Sequence, residues 1–242
     1  MTGFAGGGGQ HNFKLAFTLA EVLITLGIIG IVAAITLPAV VNNVQDRQFR
    51  KLWKKSYSDI NNAFNNAFAE NKLGMPTRGV SNQEMVPYAQ EIYYQVFSRL
   101  NTKFYCVQAS PYDHNCPDEN HVQMGRKNLS PDCHSLNDDN IEKACMFAGS
   151  GGRAELTNGA VIYAHDYFWE FPAMLVDVNG KQKPNTVGRD MFIVLFRKDR
   201  VYPGGSPDYP LKGCDKSISS GSGAVGAAKM SGSGCGFKYL YE

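Results

Sequence analysis

The sequence predicts an α+β protein: a long N-terminal helix, membrane-spanning in its first half, packed on a small antiparallel sheet. Three observations predict it. Residues 17–41 form a nearly unbroken apolar run, and apolar residues then recur at helical steps as far as Phe68. The second half of the chain carries short apolar runs separated by turn residues. The length of 242 residues is ample to bury a core. An aromatic fraction of 12% with a net charge of +2 excludes disorder throughout, and a single stretch of spanning length excludes a polytopic membrane protein. With 24 basic and 22 acidic side chains, the chain as a whole has no electrostatic footprint for nucleic acid.

The first element is FTLAEVLITLGIIGIVAAITLPAVV, residues 17–41, with Glu21 as its one ionisable side chain. At about 1.5 Å per residue this is a helix of roughly 37 Å, enough to cross a hydrocarbon layer of about 30 Å. It is too long for the apolar region of a secretory signal peptide. Residues 1–16 contain Lys14 and no acid. A carboxylate inside an apolar helix costs about 2.5 to 3.5 kcal/mol even on lenient scales, so Glu21 needs a reason. Either it reaches back to an interface, or, if the chain is cut before Phe17, it pairs with the new α-ammonium of a neighbouring copy. Such a buried pair fixes register more than it adds stability.

Lys14-Leu15-Ala16, then Phe17-Thr18-Leu19-Ala20-Glu21 and a long apolar helix, resembles the prepilin signal of type IV pilins and type II secretion pseudopilins. Gly30 and Pro38 stand at offsets typical of that family. The resemblance implies a leader of residues 1–16 removed by a membrane prepilin peptidase between Ala16 and Phe17, methylation of the Phe17 amine, and assembly into a filament that requires Glu21. One departure is Ala16, where the family usually has Gly; slower processing at worst is expected. The resemblance also implies unwinding between Gly30 and Pro38 when a subunit leaves the bilayer. Gly and interior Pro cost a helix about 1 and 3 kcal/mol, and Pro38 leaves the carbonyl of Ala34 without its helical partner.

Beyond Pro38, Val44, Phe49, Leu52, Trp53, Tyr57, Ile60, Phe64, Ala67 and Phe68 follow helical spacing, and Gly74 and Pro76 form a stop. One helix from about 17 to about 71 is expected, with residues 42–74 as its amphipathic second half. Asp46, Arg47, Arg50, Lys51, Lys54, Lys55 and Asp59 lie off the apolar face. They read as a solvated face, or as a face attracted to lipid head groups or to acids of a neighbouring subunit. Cations after the span would put the following domain in the cytoplasm by the positive-inside rule. The resemblance and the six cysteines instead favour an oxidising compartment.

Residues 75–242 are expected to form a disulfide-stapled globular domain. A helix is plausible over 82–100, with Met85, Tyr88, Ala89, Ile92, Val96 and Leu100 on one side, followed by an irregular stretch over 104–152. Residues 155–163 read as a hairpin turning at Asn158-Gly159, a dipeptide that tolerates positive φ at both positions. Runs at 173–178 and 191–196, with a short strand at Val201 and Tyr202, complete three or four antiparallel strands. Residues 217–236 are rich in Gly and Ser and floppy by composition. His165-Asp166 before Tyr167-Phe168-Trp169 reads as packed core or loop rather than a binding patch.

The six cysteines allow 15 connectivities. The sequential set is expected, Cys106 with Cys116, Cys133 with Cys145 and Cys214 with Cys235, because each closes a short loop lacking regular structure. Zinc is disfavoured: no Cys-x-x-Cys pair accompanies His114, His121 and His134. Asp177, Asn179, Asn185 and Asp190 offer oxygen-bearing side chains in one loop. They suit Ca²⁺, and the loop looks like the calcium loop of major pseudopilins; ordinary turn chemistry explains the same residues. No other cofactor is required, and no nucleophile elbow, phosphate loop or metalloprotease helix appears.

The expected role is therefore a non-enzymatic subunit of a type II secretion pseudopilus, with a type IV pilin, minor or adhesive, as the alternative in the same class. A single-span envelope protein that binds a ligand or acts as an enzyme is the alternative from a different class. The implied partners are like or related subunits, the prepilin peptidase, an inner-membrane assembly platform and membrane lipid. The implied location is the inner membrane, single-pass, with the globular domain periplasmic or extracellular, and then the filament.

Overall fold

The computed structural model describes residues 18–73, 82–107, 151–168, 171–180, 182–197, 200–207, 213–215 and 231–242. It divides into two compact units, Met1–Val44 and Gln45–Glu242. The first helix, α1 (Leu19–Ala69), supplies all of the first unit from Leu19 onward and the opening element of the second.

In the first unit the large apolar side chains, among them Leu23, Ile24, Ile28, Ile29, Ile31, Val32, Ile35 and Leu37, are exposed. This helix is long and apolar enough to cross a membrane. Its two interior hydroxyls are satisfied by its own backbone: Thr25 Oγ1 donates to Glu21 O at 2.9 Å and Thr36 Oγ1 to Val32 O at 2.9 Å. The surface between Val22 and Val41 therefore offers lipid or another apolar helix almost nothing but hydrocarbon.

In the second unit, Phe49, Trp53, Ser56, Ile60, Ala63, Phe64 and Ala67 are the buried residues of α1, at steps of three and four. Val44 and Phe68, expected on that face, are exposed, and Leu52 and Tyr57 are partly buried at its margin. The helix ends where Asn71 adopts φ of 54°, with Lys72 N donating to Ala67 O at 3.1 Å and Asn71 N to Phe68 O at 3.0 Å. That pair of bonds is a Schellman cap. Gly74 and Pro76 lie outside the described residues.

Helix α2 (Asn82–Phe97) tolerates Pro87 and buries Met85, Ala89, Ile92, Tyr93, Val96 and Phe97. Tyr88, expected on the core side, is instead exposed; Tyr93 takes the buried aromatic position, and its hydroxyl accepts from Ala173 N at 3.0 Å and donates to Ala173 O at 3.2 Å.

The sheet is an antiparallel meander of six strands in chain order: β1 (Thr102–Val107), β2 (Gly152–Leu156), β3 (Val161–Phe168), β4 (Phe171–Asp177), β5 (Met191–Phe196) and β6 (Val201–Pro203). The expectation of three or four strands is thus too low. Residues 104–107 of strand β1 lie in the stretch read as irregular: the strand sits next to a Pro-, Asn- and Cys-rich segment that hides its pattern, and pairing with β2 holds it. The β2–β3 turn falls at Asn158-Gly159 as expected, but only Gly159 has positive φ, 93°. Gly159 N donates to Leu156 O at 3.0 Å and Leu156 N to Ala160 O at 2.9 Å, which is a type I turn closed by a bulge.

Alternate residues of the central strands, Ile162, Met174, Val176, Phe192, Val194 and Phe196, face the helices. Leu175, Ile193 and Leu195, between them, are buried as well, which is why β4 and β5 read as continuous apolar runs rather than as alternation. Trp53 is the centre of the contact: fully buried, its ring stacks on Phe192 at 4.6 Å and its Nε1 donates to Gly236 O at 2.9 Å. Phe64 meets Phe196 at 5.4 Å, and Tyr57 Oη donates to Val201 O at 2.9 Å. The chain is therefore α+β, with a long helix packed on an antiparallel sheet.

Of the Gly- and Ser-rich stretch 217–236, residues 217–230 lie outside the described residues, and the described part, 231–236, departs from its composition. Residues 231–234 form a buried turn and Cys235–Tyr241 forms α3. A helix of seven residues leaves too short a periodic signal to read. Close backbone contact explains the glycines: a Cβ on Gly188 would meet the Gly232 Cα at 2.6 Å, and one on Gly205 would run into Gly234 O. Cys214 is bonded to Cys235, as expected, and fixes this turn. Cys106 is also disulfide-bonded. Cys116, Cys133 and Cys145 lie outside the described residues, as do His114, His121 and His134.

Candidate functional site

The N-terminal motif is described from Thr18 onward; the expected cleavage site, Ala16 and Phe17, lies outside. Thr18-Leu19-Ala20-Glu21 forms a reciprocal cap. Glu21 Oε2 accepts from Thr18 N at 2.8 Å and from Thr18 Oγ1 at 2.8 Å, while Glu21 N donates to Thr18 Oγ1 at 3.2 Å. The spacing T-x-x-E before an apolar run is a capping box, and it is the sequence signal that explains where α1 starts. The carboxylate is thus held back over the helix start, beside the peptide nitrogen that follows Phe17 in the chain. It is exposed, as are the described large apolar side chains around it, Leu19, Val22, Leu23 and Ile24. Gly30 and Pro38 sit within continuous helix, so the segment expected to unwind is intact here. Among the described residues, a Cβ on Gly27 or Gly30 would meet nothing within 4 Å, so no contact there requires glycine at either position.

The second candidate is the loop from Asp177 to Asp190 that joins β4 to β5. Asp177 and Asp190 close its ends, with Val178 N donating to Asp190 O at 2.9 Å. Inside it are a cis peptide at Lys183-Pro184 and positive φ at Gly180, Asn185 and Gly188. Asp190 accepts from Asn185 N at 2.8 Å through Oδ2 and from Thr186 N at 2.6 Å through Oδ1. Asp177 Oδ1 accepts from Asn179 N at 3.3 Å, and Asn179 Nδ2 donates to Gln182 O at 2.9 Å and Lys183 O at 3.2 Å. Arg189 Nε donates to Asp46 Oδ1 at 2.7 Å, tying the loop to α1.

The four expected residues are therefore gathered in one place. Asp177, Asn185 and Asp190 are buried, and Asn179 Oδ1 has no hydrogen-bond partner. Burial pushes Asp177 up to about 8, helped by the Asp190 charge, and burial pushes Asp190 up to about 6 against the backbone N–H donors of Thr186, Asn185 and Asp190 itself. Two buried carboxyls with a free amide oxygen form an oxygen-only donor set, the kind a hard divalent cation takes. The Asx-type bonds equally satisfy the turn reading, so both expectations meet in the same loop. Thr186 and Arg189, which organise and anchor it, carried no sequence signal: a backbone donor and a partner 143 residues away leave no local pattern. Among the described residues no group of three or more His, Cys, Asp or Glu is placed to hold a metal. Comparison of the chain with family models, with curated proteins and with solved structures gave no match.

Proposed function

We propose that this chain is the precursor of a non-enzymatic filament subunit of the pilin class, with a type II secretion pseudopilin as the first reading. One observation carries it: a single carboxylate, Glu21, held at the start of the apolar first part of α1, residues 19–41, whose large apolar side chains are exposed among the described residues. Beyond capping the helix, a carboxylate in that position recovers its cost in an apolar bundle by meeting a cation as the helices assemble. The amine created by cutting before Phe17 is the cation nearest in the chain. The gathered Asp177, Asn179, Asn185 and Asp190 favour the pseudopilin branch over the type IV pilin, through a calcium loop of that branch's kind. The globular unit then lies on the oxidising side of the inner membrane, where its disulfides persist.

The test is assembly. Glu21→Ala should abolish recovery of sheared filaments from cells carrying the assembly machinery, with subunit level and membrane insertion unchanged. Filaments in normal yield from that variant would refute the reading. Pro38→Ala should stiffen the helix; unchanged assembly and filament helicity would remove the unwinding role from the 30–38 segment.

A further inference from the structure

The second half of α1 opens with a band of positive charge that the fold does not use. Arg47, Lys51 and Lys54 are exposed, and their steps of four and three place them on one helix face, away from Phe49, Trp53, Ser56 and Ile60. The other charges nearby are engaged: Asp46 with Arg189 at 2.7 Å, Arg50 with Glu242 at 3.3 Å, and Lys55 with Asp59 at 3.0 Å. Arg47, Lys51 and Lys54 have no hydrogen-bond or ion-pair partner among the described residues. In the sequence, Arg47 follows Val44, the last exposed large apolar residue before it, by only three positions.

We propose that Arg47, Lys51 and Lys54 form a docking stripe for the anionic headgroups of phospholipids, at the bilayer surface where the apolar segment ends. The proposal rests on the reading of that segment as membrane-inserted. Attraction of a cation to an anionic surface fades within a Debye length of about 10 Å, so only cations in the first turns after the span can use it. On a helix rising about 1.5 Å per residue, Arg47 and Lys51 lie within about 10 Å of Val44, and Lys54, at about 15 Å, has a flexible stem to reach back; the three share one face, with no acid among the described residues competing for them. A second copy of the chain fits the stripe less well. Its acids Asp46, Asp59, Glu70, Glu155 and Glu242 each hold a cation already, and no free acidic face of matching length remains among the described residues. While the subunit is in the membrane, the stripe would hold the start of the globular unit at the headgroup layer; extraction into a polymer would have to release it.

The test uses the full chain reconstituted in phosphatidylcholine bilayers containing roughly a quarter phosphatidylglycerol, with trace spin-labelled lipid of either headgroup. An inserted chain immobilises a shell of both labels. The stripe predicts a severalfold preference of that shell for phosphatidylglycerol. Added salt should weaken it, Arg47→Gln with Lys51→Gln and Lys54→Gln should largely abolish it, and Lys72→Gln should leave it intact. Because the three side chains have no partner among the described residues, the triple variant should melt as the wild type does. Equal association of the two labels with the wild type overturns the proposal, and so does a preference that survives the triple change. A triple variant that keeps the lipid preference but self-associates less assigns the stripe to acids of a neighbour, which also overturns it. No immobilised lipid with either label would instead overturn the membrane-inserted reading beneath it.

Discussion

Arg189 Nε donates to Asp46 Oδ1 at 2.7 Å, so the loop between β4 and β5 is fastened to the long helix at the first turn of the globular unit. Both side chains are partly solvated, and a pair of this kind contributes about 0.5–1 kcal/mol. A double-mutant cycle of Asp46→Ala and Arg189→Ala should return a coupling of that size by chemical denaturation. Arg189→Ala should cost more than Asp46→Ala, because Arg189 makes a further interaction. A coupling of zero would mean the loop is held without the helix.

Asp177 and Asp190 set a pH dependence with a definite sign. Both carboxyls are raised by burial from 3.8, to about 8 and about 6. The folded chain therefore keeps protons that the unfolded chain has lost, and the stability they contribute is present below about pH 4 and lost as pH rises through about 6 to 8. Without divalent cations, the difference in melting temperature between Asp177→Asn and the wild type should grow in the variant's favour from pH 5 to about pH 8. A difference independent of pH would contradict the burial account.

Calcium reverses that sign if the loop takes it, because a cation favours the ionised carboxyls. Millimolar Ca²⁺ at about pH 8 should raise the melting temperature of the wild type and not that of Asp177→Ala. No rise in the wild type would leave the loop with turn chemistry alone.

Three glycines should respond differently to alanine. Gly188→Ala forces a Cβ onto the Gly232 backbone at 2.6 Å and the Cys235 Sγ at 2.9 Å, with φ at +85°, and should cost more than about 2 kcal/mol. Gly159→Ala, with φ at +93° and open space, should cost about 1 kcal/mol through the backbone alone. Gly30→Ala, in open helix, should raise helix stability by up to about 1 kcal/mol. Thermal or chemical denaturation ranks the first two, and circular dichroism in detergent reads the third. Any other order would break the link between close approach and glycine.

The disulfide Cys214–Cys235 should appear as one cross-linked peptide in non-reducing mapping, and the sequential reading adds Cys106 with Cys116 and Cys133 with Cys145. Crossed pairs among the latter four would refute that connectivity.

What could be read in the sequence divides by range of interaction. The long helix, β4, β5 and the Asn158-Gly159 turn were legible because their signals are local: apolar spacing, apolar runs and a turn dipeptide. Strand β1 was not, because pairing with β2 across 45 residues makes it a strand. Helix α3 was not either, since Trp53 and the 214–235 disulfide hold a segment whose composition suggests loop. At the candidate sites, Glu21 and the loop residues stood out by chemistry. Thr18 carries a local signal, its capping-box spacing with Glu21, whereas Arg189, whose partner lies 143 residues away, emerged only with the geometry.

The most direct test of the account is the mass of the mature N-terminus, measured on protein recovered from membranes of cells that carry a prepilin peptidase. The account predicts a chain beginning at Phe17, lacking residues 1–16 and carrying one methyl group on its amine. A mature protein that retains Met1 or is cut elsewhere would contradict it, and would leave the apolar helix as a plain anchor.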